Sequence, residues 1–210
     1  MTAAKTPRLV LASASPRRSA LLFDLELEFL VRPPHTDESP RPLEGPIDLV
    51  ARLALEKARA RVETDDLVLA ADTIVVIDGE ILGKPADEAE ARDMLRRLSG
   101  RDHEVYTGVA LVDGSAVPAR LASRVERTKV RIRTMTAAEI AAYVAGGEPM
   151  DKAGAYAIQG WGAVYVEAIT GNYTNVVGLP IPAVEACFRE LGFAIESFRR
   201  QLTGAPSPRT

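Results

Sequence analysis

A chain of 210 residues with 47% hydrophobic and 26% charged residues is long enough to bury its own core and too apolar for wholesale disorder. It sets 26 Lys and Arg against 29 Asp and Glu, a formal charge of -3, which argues against a general nucleic-acid binder and leaves any anionic ligand to local cations. A single cysteine, Cys187, excludes an intramolecular disulfide and a cysteine-based zinc site, and its apolar neighbours predict a buried, inert thiol. No apolar run approaches the ~18 residues of a membrane span. The N-terminus lacks the apolar stretch of a signal peptide, so the expected location is the cytoplasm, without membrane or nucleic-acid partners.

The expected organisation is one domain over residues 1–203 and a flexible tail at 204–210, with residues 1–7 also polar and loose. RLVLA at 8–12 reads as a short buried strand. Ser15-Pro16 then reads as a cap and first helical position, opening a helix that turns Leu21, Leu22 and Leu25 inward. A strand from Glu28 to Val31 leads into a loop punctuated by Pro33, Pro34, Pro40 and Pro42. Pro46 opens a second helix with Ile47, Val50, Leu53 and Leu55 as its apolar face. Asp78-Gly79 between apolar runs predicts a tight hairpin. Asp87 and Glu90 predict a capping box for a helix ending at Leu98, and Thr136 and Glu139 a second one. Strands over His103–Val112 and Leu121–Arg133 flank Asp113-Gly114, a further strand is expected at Ala163–Ala168, and a last helix runs from Pro182 to Leu191. Hairpins among alternating helices and strands predict an α/β fold with a mixed sheet and flanking helices.

Five groups of residues can carry chemistry. SASPRRS, Ser13 to Ser19, lies at a strand-to-helix junction, where free backbone N–H groups and the helix dipole favour an anion. Ser13 and Ser15 add hydroxyls, and Arg17 and Arg18 add guanidinium forks that match phosphate oxygens. A capped helix with two solvated arginines is the competing reading. Asp72, with Thr73, follows the apolar run LVLAA and is expected at the end of a buried strand, where a carboxylate can hold a divalent cation or deprotonate water. Lys57, Lys84 and Lys152 are scattered cations, with Lys84 fixed between Gly83 and Pro85. Gln159 offers a donor and an acceptor side by side, which fits uracil or thymine and also fits adenine. Asp37-Glu38 in the proline-rich loop could share a metal ion with Asp72, although loop acids are commonly solvated. His35 and His103 have no metal-like spacing, and His103 reads as structural.

In order, LASASPRRSALL (11–22), DES (37–39), ARLALEKA (51–58), ADTIVVIDGEILGKP (71–85), EPMDKAGAYAIQGWGA (148–163) and NVVGLPI (175–181) resemble the Maf family of nucleotide pyrophosphatases. The resemblance runs from about Leu9 to about Leu191. It implies a mixed α/β fold similar to inosine triphosphate pyrophosphatases, with two lobes around a deep cleft, and commonly a homodimer. It implies hydrolysis of a nucleoside triphosphate to the monophosphate and pyrophosphate with a divalent cation, Mg2+ or Mn2+. Asp72 falls at the family's catalytic position as proton acceptor, and Arg17, Thr73 and Gln159 fall where the family sets specificity. The combination resembles the dTTP/UTP branch, in contrast to the branch acting on 7-methyl-GTP. Ser13, Ser15, Arg18, Lys57 and Lys84 are then expected to hold the triphosphate, and Asp72 with Glu38 the metal. The family is also associated with inhibition of septum formation, so a nucleotide-binding regulator of cell division is the rival from another class. Glu26 departs from the family, which usually has Gly in the turn after the first helix.

Overall fold

The computed structural model describes residues 7–200. The expected tail at 204–210 and all of the expected loose N-terminus except Pro7, which is buried, lie outside the described residues. Seven strands form one mixed sheet in the order β2-β1-β3-β5-β6-β7, with β4 paired to β3. The strands are β1 (Arg8–Leu11), β2 (Leu30–Val31), β3 (Asp66–Ile77), β4 (Glu80–Leu82), β5 (Asp102–Asp113), β6 (Arg120–Ile132) and β7 (Val166–Thr170). β1 runs parallel to β2 and β3, and every other pairing is antiparallel. The helices are α1 (Pro16–Asp24), α2 (Pro46–Arg59), α3 (Glu88–Leu98), α4 (Ala137–Ala145), α5 (Tyr173–Val177) and α6 (Ile181–Glu190).

Local chemistry accounts for most boundaries. Pro16 and Pro46 start α1 and α2, because proline needs no N–H there and its φ suits the first turn. Thr136 and Glu139 form the reciprocal capping box at α4. At α3 the box is only half built: Asp87 accepts from the Glu90 N–H, while Glu90 reaches back to the Ala86 N–H. Asp78 and Gly79 both have positive φ, as the two-residue β3–β4 hairpin requires.

Three expectations need correction. The strand expected at Ala163–Ala168 begins at Val166, because Gly160–Val164 close into a 3-10 turn. On α2 the inward face is Leu49, Val50, Leu53, Ala54 and Lys57, while Ile47 is exposed at the first turn. Asp72 is not at a strand end: β3 continues through it to Ile77.

β3 organises the core. Leu67, Leu69 and Ala71 face α6 and the buried Leu22 of α1 in one cluster. Val75 and Ile77, on the same face, join α3 and α4 in a second cluster. These clusters are the cores of two lobes, and Thr73 stands at the break between them. On the opposite face Val68 and Ala70 pack under Ala54 and Ala58, whereas Ile74 and Val76 pack under Leu49, Val50 and Leu53. Asp72 interrupts that face in the same way.

Candidate active site

The break in the core coincides with a break in the sheet edge. β1 pairs with β3 as far as Leu69, and β4 pairs with it only from Val75. Between those points neither strand covers that edge of β3, so the cleft reaches side chains from both faces. The resulting cavity has a volume of about 740 Å³. Its lining includes Ser13, Ser15, Arg17, Arg18, Glu38, Lys57, Asp72, Thr73, Lys84 and Gln159, the residues to which the family resemblance assigns roles. Lys152 joins them, whereas Asp37 lines a separate hollow and accepts from the Ser39 N–H.

On the α2 face, Lys57 Nζ lies 2.6 Å from Asp72 Oδ1 and 2.7 Å from Glu38 Oε1. Lys57 and Asp72 are buried, and Gly108 sets how deep they lie. A Cβ at Gly108 would stand 2.1 Å from the Val50 carbonyl oxygen, so glycine lets α2 approach β5 opposite Asp72. Glu38 arrives on the proline-rich loop, which Arg52 of α2 straps down. Arg52 donates to both oxygens of Glu44 at 2.6 and 2.7 Å, to Glu56 at 3.0 Å and to the Ser39 carbonyl at 3.1 Å.

On the other face, Arg18 spans the cleft floor. Its Nε donates to the Gly178 carbonyl at 2.7 Å, Nη1 to Ser13 Oγ at 3.1 Å and Nη2 to Thr73 Oγ1 at 3.1 Å. Burial pushes its pKa below the ordinary arginine value, against the pull of Asp72. Thr73 also meets Thr107 Oγ1 at 2.9 Å, and Thr107 donates to the Asn175 carbonyl at 3.2 Å. Ser15 caps α1 without a side-chain bond; instead its N–H donates to Ser13 Oγ. Arg17 reaches Asp151 across the cleft at 3.1 Å, and Asp151 pairs with Lys152 at 2.5 Å. Burial opposes ionisation of Asp151, but Lys152 and Arg17 together hold its carboxyl below the usual range. Lys84 is exposed at the rim, with no carboxylate within salt-bridge distance among the described residues. Gln159 is also exposed, in the turn that precedes Gly160.

The cavity thus holds five cations, Arg17, Arg18, Lys57, Lys84 and Lys152, against three carboxylates. A chain of net charge -3 has concentrated positive charge where a compact anion would enter. Among the described residues no group of three or more His, Cys, Asp or Glu is placed to hold a metal. Two oxygen donors, Asp72 and Glu38, do converge on one cationic atom. That donor set fits Mg2+ or Mn2+, since Mg2+ commonly takes one or two carboxylates and fills its shell with phosphate oxygens and water.

Sequence reasoning overlooked Asp151, Tyr156, Thr107 and Gly178. Tyr156 lines the cavity and its hydroxyl lies 2.7 Å from Nε2 of the buried His103. The signal for Asp151 was a carboxylate in EPMDKAGAY, a segment otherwise too apolar for a surface loop.

Fold and cleft together define an α/β protein with an interlobe site for a compact anion. The chain belongs to the Maf-like protein family, whose sequence profile matches residues 8–191. A relative from Anaeromyxobacter dehalogenans named dTTP/UTP pyrophosphatase is 51% identical over 189 residues, covering 90% of this chain and 96% of its own. One from Moorella thermoacetica with the same name is 53% identical over 180 residues, covering 85% and 92%. A HAM1 protein from Coxiella burnetii matches in structure with a TM-score of 0.42 and 23% identity, over 60% of this chain and 73% of that one. Among the described residues no helix is long and apolar enough to cross a membrane.

Proposed function

We propose that this chain is a nucleoside triphosphate pyrophosphatase that hydrolyses dTTP and UTP to the monophosphate and pyrophosphate. One observation carries the reading: residues from separate segments of the chain meet in a cavity of about 740 Å³ that pairs a cationic surplus with the Asp72–Lys57–Glu38 cluster. Such a volume suits a small ligand. The relatives' names supply the substrate class.

The chemistry follows from the charges. A water oxygen attacks the α-phosphorus, the bond to the α,β-bridging oxygen breaks, and its electron pair leaves with pyrophosphate. Asp72 accepts the water proton, and the Lys57 ammonium, hydrogen-bonded to its Oδ1, aims that carboxylate. Asp72 and Glu38 would hold the divalent cation, which when bound would neutralise phosphate charge. Lys84 and Arg17 approach the leaving group, where positioned cations stabilise charge that develops during cleavage. Arg18, with three of its five N–H donors on Ser13, Thr73 and Gly178, fixes the junction at which the phosphates sit and keeps two donors for them. Gln159 reads the base edge, and Thr73 supports the same specificity.

A panel of dTTP, UTP, CTP and 7-methyl-GTP with Mg2+, scored by product, tests the reading. Monophosphate and pyrophosphate from dTTP and UTP are expected; diphosphate and phosphate, or preference for another base, would overturn it. Asp72→Asn should remain folded and lose at least about 100-fold in turnover, the scale of a general base. Turnover at the wild-type rate in that variant would remove Asp72 from the mechanism. From the family resemblance we also propose a homodimer, a cytoplasmic location and a role in septum inhibition. An Asp72→Asn protein that still blocks septation when overproduced would hold the enzymatic and regulatory roles separately.

A further inference from the structure

Glu148 lies outside the phosphate end of the cleft, in the 3-10 turn Glu148–Asp151 that follows α4. Its carboxylate accepts three hydrogen bonds. Oε1 takes the Tyr143 hydroxyl at 2.8 Å and the Gly162 N–H at 2.9 Å, and Oε2 takes the Trp161 N–H at 2.9 Å. The Tyr143 oxygen in turn accepts from the buried Ala157 N–H at 3.2 Å. The segment 157–162 is therefore gripped at both ends, and Gln159 is presented from the middle of it.

The glycines of this segment answer to the same grip. Gly160 has φ +68°, and a Cβ there would stand 2.7 Å from Glu148 Oε2. A Cβ at Gly162 would stand 2.3 Å from the Ala157 carbonyl and 2.5 Å from the Tyr143 hydroxyl. The backbone of Glu148 is tied as well: its carbonyl accepts from Lys152 Nζ at 2.6 Å, and Lys152 pairs with Asp151, the partner of Arg17. One chain of contacts thus joins Gln159's turn to Arg17. Burial opposes ionisation of Glu148, but Tyr143, the two N–H groups and Lys152 outweigh it and hold the carboxyl below its usual range. An ionised carboxylate has acceptors only, which is what three converging donors require.

We infer that Glu148 is a positioning residue for base recognition: it sets the turn that holds Gln159 against the pyrimidine, without touching the substrate. The inference rests on the function proposed above and names a specificity determinant beyond it. Glu148→Gln is nearly isosteric but turns an N–H toward at least one of the three donors. The test is steady-state kinetics on UTP, dTTP and CTP for the wild type, Glu148→Gln, Gln159→Ala and the double variant. Glu148→Gln should raise KM for UTP about tenfold, hold kcat within about threefold and cut the UTP-over-CTP preference about tenfold, the scale of one unpaired buried donor. Because Glu148 acts through Gln159, the double variant should be no worse than Gln159→Ala alone. Independent, multiplying effects would overturn the inference, as would a folded Glu148→Gln protein with wild-type KM and preference, or one impaired in kcat only. Should Glu148→Gln fail to fold, Tyr143→Phe, which removes the other half of the grip, must show the same split of KM from kcat or the inference falls. A wild type that turns over some other nucleotide defeats the functional reading alone, and the coupling of Glu148 to Gln159 is then decided on that nucleotide.

Discussion

Lys57 illustrates how one residue acquires its role from its neighbours. On the sequence it is a cation in a helix, and a solvated lysine would be its ordinary fate. In the fold it is buried on the inner face of α2 between Asp72 and Glu38. A buried cation needs paired charge, and a cleft that loses it leaves two carboxylates to repel each other. Glu26 shows the converse, a residue whose chemistry matters less than its backbone. It has φ +58° in the turn after α1, donates its N–H to the Phe23 carbonyl and pairs with Arg199. The left-handed region costs an ordinary L-residue roughly 1–2 kcal/mol, which glycine avoids. The ion pair, half-exposed on both sides, offsets little of this. Glu26→Gly should therefore stabilise the protein by about 1 kcal/mol and raise Tm by ~2–4 °C, measured by thermal unfolding with activity unchanged. A lower Tm would mean that the Arg199 pair outweighs the backbone strain.

Among the elements, β3 and α2 do most to place the site, and they also mark what the sequence could reveal. LVLAA-DT-IVVI already records two apolar runs split by a polar pair, and the structure places the lobe boundary at that split. Single-chain patterning found the pair because desolvated polar residues stand out against β-branched neighbours. It misplaced Asp72 at a strand end because periodicity cannot show that β1 stops while β3 continues. Nor could it find Gly108, whose importance comes from a helix remote in sequence. Gly108→Ala should push α2 away from β5 and Lys57 away from Asp72, since the new Cβ would meet the Val50 backbone at 2.1 Å. The expected loss is about 3 kcal/mol, the upper end for overpacking, or ~6–12 °C in Tm. Hydrolysis should fall in the fraction that remains folded. Retention of both would show that α2 is free to shift. The early start expected for the strand at Ala163–Ala168 has a similar origin: contacts between distant residues, not local propensity, hold the 157–162 turn.

At the scale of the molecule, the sheet carries a neutral pocket of polar groups in the second lobe as well as the charged cleft. His103 of β5 is buried, with Nε2 against the Tyr156 hydroxyl and Nδ1 without a partner among the described residues. Burial pushes its pKa down to about 4 from the ordinary 6.5, and the nearby Asp102 recovers only part of that shift. Burial pushes the Tyr156 phenol upward, so the pair stays neutral across the physiological range. The sign of the consequence is fixed: between pH 6.5 and 4 the unfolded chain binds a proton that the folded chain refuses. Stability is therefore complete above pH 6.5 and is lost as pH falls toward 4, by about 3 kcal/mol at the lower end. The carboxylates held below their usual range, among them Glu139, Glu148, Asp151 and Asp113, lose their contributions mainly at lower pH, as protons begin to compete for them. His103→Gln, which can still meet the Tyr156 hydroxyl, should flatten the fall between pH 6.5 and 4. Urea unfolding of both proteins across that range is the check: the wild type should lose about 3 kcal/mol more than the variant, whereas parallel curves would mean that His103 is protonated in the fold.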